Sequence, residues 1–219
     1  NRLKYSLIAI FAFGSLAVFG QKSTGAAQFP ELTPDVRGVG MGNSGVAATA
    51  NAFSIYRNAA KSIFSTPKAE IGYSFTPWLR ELSKGSNLHG VAGYCNLNEK
   101  QGITAGFRWF NHPETNVWDK DGNDAGTFTP KDWSVDVGYA RKLTDDLSVG
   151  ATARFIRSDM SGLDKDDAAN AVAFDLGLYY RRNFENWEQS QWAVGLQASN
   201  FGTKIDYGYG KYDQASKVA

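Results

Sequence analysis

From Ala69 onward the chain repeats one pattern: stretches of about ten residues in which large apolar side chains alternate with small or polar ones. In WSVDVGYARKL, Trp133, Val135, Val137 and Tyr139 share one parity, and Ser134, Asp136, Gly138 and Ala140 the other. In LSVGATARFI, Leu147, Val149, Ala151, Ala153 and Phe155 oppose Ser148, Gly150, Thr152 and Arg154. In AVAFDLGLYY, Val172, Phe174, Leu176 and Leu178 oppose Ala173, Asp175 and Gly177. A strand repeats every two residues, so each stretch has one oily face and one small or polar face. The spacing predicts strands over 69–77, 88–97, 101–110, 133–143, 147–157, 171–183 and 191–201. The fold class is therefore all-β and antiparallel.

A water-soluble sandwich gives the same alternation. The connections separate the two readings. Those at 98–100, 144–146 and 184–190 are short, whereas those at 78–87, 111–132 and 158–170 are long and polar. Transmembrane barrels have short periplasmic turns and longer outer loops. Strands of about 9–11 tilted residues are the length needed to span. The pattern therefore predicts a transmembrane β-barrel in the cell outer membrane, with lipid bilayer as the solvent of the oily face.

Aromatic residues collect at strand ends. In YSFTPWLREL, Tyr73 and Phe75 are read as lipid-facing, Pro77 ends pairing, and Trp78 marks where the chain leaves the membrane. Trp78, Trp109 and Trp133 are expected at the outer rim, and Tyr94, Tyr180 and Trp192 near the periplasmic rim, because amphipathic rings favour the headgroup level. On the small, polar face, a three-residue turn at Thr144–Asp146 puts Asp136 across from Arg154. With Arg108 and Asp175 on the flanking strands, this predicts an Arg–Asp–Arg–Asp ladder inside the wall, each cross-strand pair contributing roughly 0.2–1 kcal/mol.

Before the strands, Arg2 and Lys4 precede the apolar run YSLIAIFAFGSLAVF, which reads as a secretory signal over 1–20 and is too short to span as a helix. Residues 21–68 form an N-terminal periplasmic or plug segment, and 69–219 the N-terminal half of the barrel. Seven strands leave open edges that hydrocarbon does not tolerate, so the sequence is read as part of a longer protein. A net charge of +1 offers no basic face for nucleic acid, and the single Cys95 no internal disulfide.

Three motifs resemble sites. GMGNSG fits G-x-G-x-x-G at Gly40, Gly42 and Gly45, but no βαβ unit follows, and a close-packed backbone is the better reading. DKDGND begins like a calcium loop, yet Asp124 stands where glycine belongs and Pro130 where the bidentate Glu belongs. A barrel hydrolase would build on His89 or His112, but Ser83 and Ser86 lie in no recognisable motif. No catalytic residue, metal or cofactor is expected. Trp118, Asp119, Asp121, Asp124, Asp164 and Asp166 stand out as candidate partner-binding residues of the outer loops.

The stretch LTPDVRGVGMGNSGVAATANAFSIYRNAAKSIF, followed in order by YSFTPWLREL, GVAGYCNL and ITAGFRWFN, resembles the PorV family of type IX secretion proteins, within the wider FadL-like superfamily. The likeness runs from Leu32 to at least Asn111 and departs at Asn58-Ala59-Ala60, where the family usually has Asn-Pro-Ala. It implies a fourteen-stranded FadL-like barrel with its N-terminal segment folded inside. It also implies a shuttle that takes the C-terminal signal domains of cargo from an SprA-type translocon to a PorU-like sortase complex. The alternative is a FadL-like transporter of hydrophobic solutes.

Overall fold

The computed structural model describes residues 29–78, 85–118, 121–160, 168–183, 191–206, 211–212 and 217–218. Its strands are β1 (Ala69–Pro77), β2 (Asn87–Asn98), β3 (Gln101–Asn111), β4 (Thr115–Trp118), β5 (Asp124–Phe128), β6 (Lys131–Lys142), β7 (Leu147–Asp159), β8 (Ala169–Asn183), β9 (Gln191–Gly202) and the two-residue β10 (Ile205–Asp206), β11 (Lys211–Tyr212) and β12 (Lys217–Val218). One antiparallel sheet runs β1-β2-β3-β6-β7-β8-β9-β12. Among the described residues β1 pairs only with β2, so this sheet is open at its first strand. The chain is all-β, and none of its described helices is long and apolar enough to cross a membrane, which says nothing about spanning by strands.

The sheet is one of consecutive hairpins, and its register follows from the turns. Leu143 N donates to Leu147 O at 2.8 Å, closing the β6–β7 turn and setting Asp136 opposite Arg154. The long connection between β3 and β6 contains an element that alternation did not reveal. There β4 and β5 form a separate two-stranded ribbon.

Burial alternates along the strands. In β7, Ser148, Gly150, Thr152, Arg154, Ile156 and Ser158 are buried, while the residues between them are partly or fully exposed. One face of the sheet is thus packed and the other open. Residues 29–68 cover the packed face with the short helix α1 (Val36–Gly40) and turns of 3₁₀ helix at Phe29–Glu31, Ala52–Tyr56 and Ala59–Phe64. Asn51 and Asn58 cap the latter two turns, accepting from Phe53 N and Ala60 N. Ala59 follows the Asn58 cap as the first helical residue, the position at which proline is equally acceptable, so the departure from Asn-Pro-Ala leaves the cap intact.

The covering segment approaches so closely that side chains are excluded beneath it. A Cβ on Gly150 would lie 2.5 Å from Ala60 N, and one on Gly177 2.3 Å from the Asn58 side-chain oxygen. Asn58 Nδ2 in turn donates to Leu178 O at 3.0 Å. Apolar clusters at two ends hold the segment down: Phe29, Leu88, Phe110, Ile156 and Ile205 at the loop end, and Ile63, Phe64, Ala140 and Tyr179 at the turn end. Ile55 and Tyr56 pack on Ala92 between them.

The open face carries Ile71, Tyr73, Phe75, Phe107, Val135, Val137, Phe155, Phe174 and Leu176, all exposed. Trp109, Trp133, Tyr180 and Trp192 are on this face, the last two with ring centroids 5.2 Å apart. Two aromatics expected at the lipid boundary are instead on the packed face. Trp78 has the parity of Ser74 and Thr76 and meets Phe110 edge-on at 6.2 Å. Tyr94 is buried, with its hydroxyl donating to Glu70 at 3.1 Å. Parity along the strand, not ring chemistry, decided their side.

Candidate functional site

Four charges meet in the middle of the packed face. Arg108 on β3, Asp136 on β6, Arg154 on β7 and Asp175 on β8 are all buried, and two positive groups face two negative ones. Arg154 Nε bonds Asp136 Oδ1, its Nη1 bonds Asn200 Oδ1, and its Nη2 donates to Asp175 Oδ2 at 2.9 Å. The backbone N–H of Asn200 donates to the other Asp175 oxygen at 2.7 Å. Asn200 holds that position with φ of 59°, a left-handed conformation that asparagine tolerates better than most residues. Asp136 also accepts from Ser134 Oγ at 2.9 Å, and Ser134 accepts from Arg108 Nε at 3.0 Å.

Arg108 belongs only partly to the ladder. Its Nη2 stands 4.0 Å from Asp136 Oδ1 and makes no hydrogen bond among the described residues. Its Nη1 instead donates to the carbonyls of Pro30, at 3.1 Å, and Leu32, at 2.7 Å. The guanidinium lies over the rings of Tyr56 and Phe29, 4.7 and 5.3 Å from their centroids. Arg108 therefore pins the covering segment to the sheet, while Arg154 ties the four strands β6 to β9 together. Burial of the Tyr56 phenol, opposed by the nearby Arg108, pushes its pKa well up.

The glycine motif sits in the covering segment. Gly42 has φ of 72°, and a Cβ on Gly45 would meet the Arg57 side chain at 3.1 Å, so this is a tight backbone turn against packed charges. Lys61 is buried below it and donates to Gly45 O at 2.7 Å. Burial lowers its pKa to about 8, with Arg57 and Arg37 adding to the shift and Asp35 opposing it. A cavity of about 590 Å³ opens between this turn and β8–β9, lined by Glu31, Arg57, Arg154, Asp175 and Asn200 among others. Pro30, Met41, Val46 and Ala47 line it as well, so its wall mixes apolar and charged groups.

At the loop end, Trp118 is exposed and terminates β4, Asp121 lies in the turn of the ribbon, and Asp124 accepts from Gly126 N at 2.8 Å. Asp119, Asp164 and Asp166 lie outside the described residues, as does the expected signal over 1–20. The histidines are apart in role: Nε2 of His112 bonds Asp132 at 2.7 Å, and His89 stacks on Trp109 on the open face. Among the described residues no group of three His, Cys, Asp or Glu is placed to hold a metal ion.

Sequence reasoning located the ladder charges but missed Ser134, Asn200, Tyr56 and the carbonyls of Pro30 and Leu32. Ser134 has the ladder's parity and could have been found. Nothing local marks Pro30 or Leu32, because backbone acceptors carry no sequence signature.

The sequence matches the family described as type IX secretion system protein PorV over residues 20–217, nearly the whole chain. The chain belongs to the PorV family. A search of curated proteins returns no match. Family membership makes this chain a type IX secretion component of outer-membrane type, and its one-sided antiparallel sheet is compatible with that place.

Proposed function

We propose that the sheet is the N-terminal half of a fourteen-stranded FadL-like barrel in the cell outer membrane, that residues 21–68 are its internal plug, and that 1–20 are a secretory signal. The protein acts there as a non-enzymatic shuttle. It binds the C-terminal signal domain of secreted cargo, receives it from an SprA-type translocon and passes it to a PorU-like sortase complex. The observation that carries this reading is the family match over nearly the whole chain. The open face supports it, because rows of exposed aromatic and aliphatic side chains need a nonaqueous neighbour.

The ladder and plug contacts make a rigid platform. The contacts with partners fall to the loops, with Trp118, Asp121 and Asp124 on the β4–β5 ribbon and the connection over 158–170. The test is affinity purification of the full-length protein from crosslinked cells. Translocon, cargo signal domains and sortase components are expected to co-purify, and recovery of none of them sinks the shuttle role.

A further inference from the structure

On the open face, cross-strand register aligns Phe75, His89, Trp109 and Trp133 in one row. Four residues toward the turn end, or about 13 Å along the strands, another row runs Ile71, Gly93, Ala105 and Val137. Gly93 and Ala105 are its small members, and around them lies an apolar trough of about 730 Å³, walled by Ile71, Ile103, Phe107 and Val137. The trough is built in: a Cβ on Gly93 would lie 2.6 Å from Glu70 O, so backbone approach keeps its floor low.

The row above it contains a polar group that a lipid-facing wall does not need. His89 stacks on Trp109, with centroids 4.3 Å apart, and its Nδ1 is 2.9 Å from the Tyr73 hydroxyl. When that hydroxyl donates to Nδ1, the ring proton resides on Nε2, which makes no hydrogen bond to the described residues. A donor is thus held at the headgroup level at one end of an apolar trough.

We propose that this trough is a specific seat for a phosphate-bearing bilayer lipid: one acyl chain lies over Gly93 and Ala105, and the phosphate accepts from His89 Nε2. A lipid carries both features at this spacing, an apolar tail and an anionic acceptor at one end only. A protein segment in the same trough would have to carry its acceptor into the membrane. The proposal rests on the outer-membrane part of the functional reading and not on the secretion role, so a failed shuttle test leaves it standing.

Native mass spectrometry of the full-length protein in mild detergent tests it, with dioleoyl phosphatidic acid as probe and dioleoylglycerol as its phosphate-free control. Wild type is expected to retain one phosphatidic acid preferentially. Ala105→Leu, which fills the trough, is expected to weaken both lipids about tenfold, the scale of losing one good contact. His89→Phe, which keeps the ring stack, is expected to weaken only phosphatidic acid. Folding of each variant is checked by heat-dependent gel migration. Equal retention by wild type and either folded variant overturns the proposal. Loss of a co-purifying protein from Ala105→Leu with lipid retention unchanged also overturns it, and gives the trough to a protein partner.

Discussion

At the residue scale, Asp136 holds the ladder together, because it is the one carboxylate facing both arginines. Removing Asp136 leaves two buried arginines with only Asp175 to balance them, and an uncompensated buried charge is worse than replacing the whole group by apolar residues. Asp136→Ala is therefore expected to destabilise the folded protein by about 3–5 kcal/mol. A lower urea midpoint by tryptophan fluorescence in detergent would record this, and an unchanged midpoint would show that the ladder contributes nothing net. Lys61 gives a prediction of opposite character. Its folded pKa of about 8 lies below the ordinary 10.5. Between these values the unfolded chain holds the proton and the folded one does not, so this group's contribution rises with pH across that window. Below about pH 8 its charge is buried at full penalty. Lys61→Met is expected to remove the rise between pH 8 and 10.5 and to raise stability at pH 7, as seen in paired urea titrations. A wild-type curve that rises as steeply in the variant would mean another group is responsible.

At the scale of elements, the sheet and its covering segment were unequally legible. The alternation predicts strand β7 over 147–157 and it runs Leu147–Asp159, with the expected side chains on each face, because a two-residue repeat under one-sided burial leaves a direct trace. Strand β2 was harder. Its faces carry Leu88, Gly90, Ala92 and Tyr94 against His89, Val91, Gly93 and Cys95, and neither set is plainly oily, so the alternation alone does not say which side holds Tyr94. The covering segment left no periodic signal, since its 3₁₀ turns are short and its position is fixed by long-range contacts such as Asn58 with β8. Its fit can be tested through the sheet. Gly150→Val would push a branched side chain into Ala60, where even a Cβ would stand 2.5 Å from the backbone nitrogen. The strand itself tolerates valine well. The expected result is a protein that still inserts but whose N-terminal segment is cut by protease around residues 58–64 at least tenfold faster, on the order of 1.4 kcal/mol of local opening. Wild-type protection would mean that the segment yields without leaving the sheet.

At the scale of the molecule, everything turns on what solvates the open face. In water, an exposed surface position away from special features accepts most substitutions within about 0.5 kcal/mol. In a membrane, a cation at mid-depth on the lipid face costs about 2–4 kcal/mol, falling toward the interfaces. Val137 separates these cases. It is 59% exposed in the structure, and its row lies between the Trp109–Trp133 row and the row of Tyr139. Val137→Arg is therefore expected to reduce the heat-resistant, membrane-inserted fraction of the full-length protein sharply. An arginine at Lys131, on the same face at the loop end of β6, is expected to change it little. If both variants insert like wild type, hydrocarbon is not the neighbour of this face, and the membrane-spanning barrel must be abandoned. If only the mid-depth charge is refused, the alternation that opens the sequence at Ala69 has its physical cause. The larger side chains were chosen by lipid, and the small and charged ones by the segment folded against them.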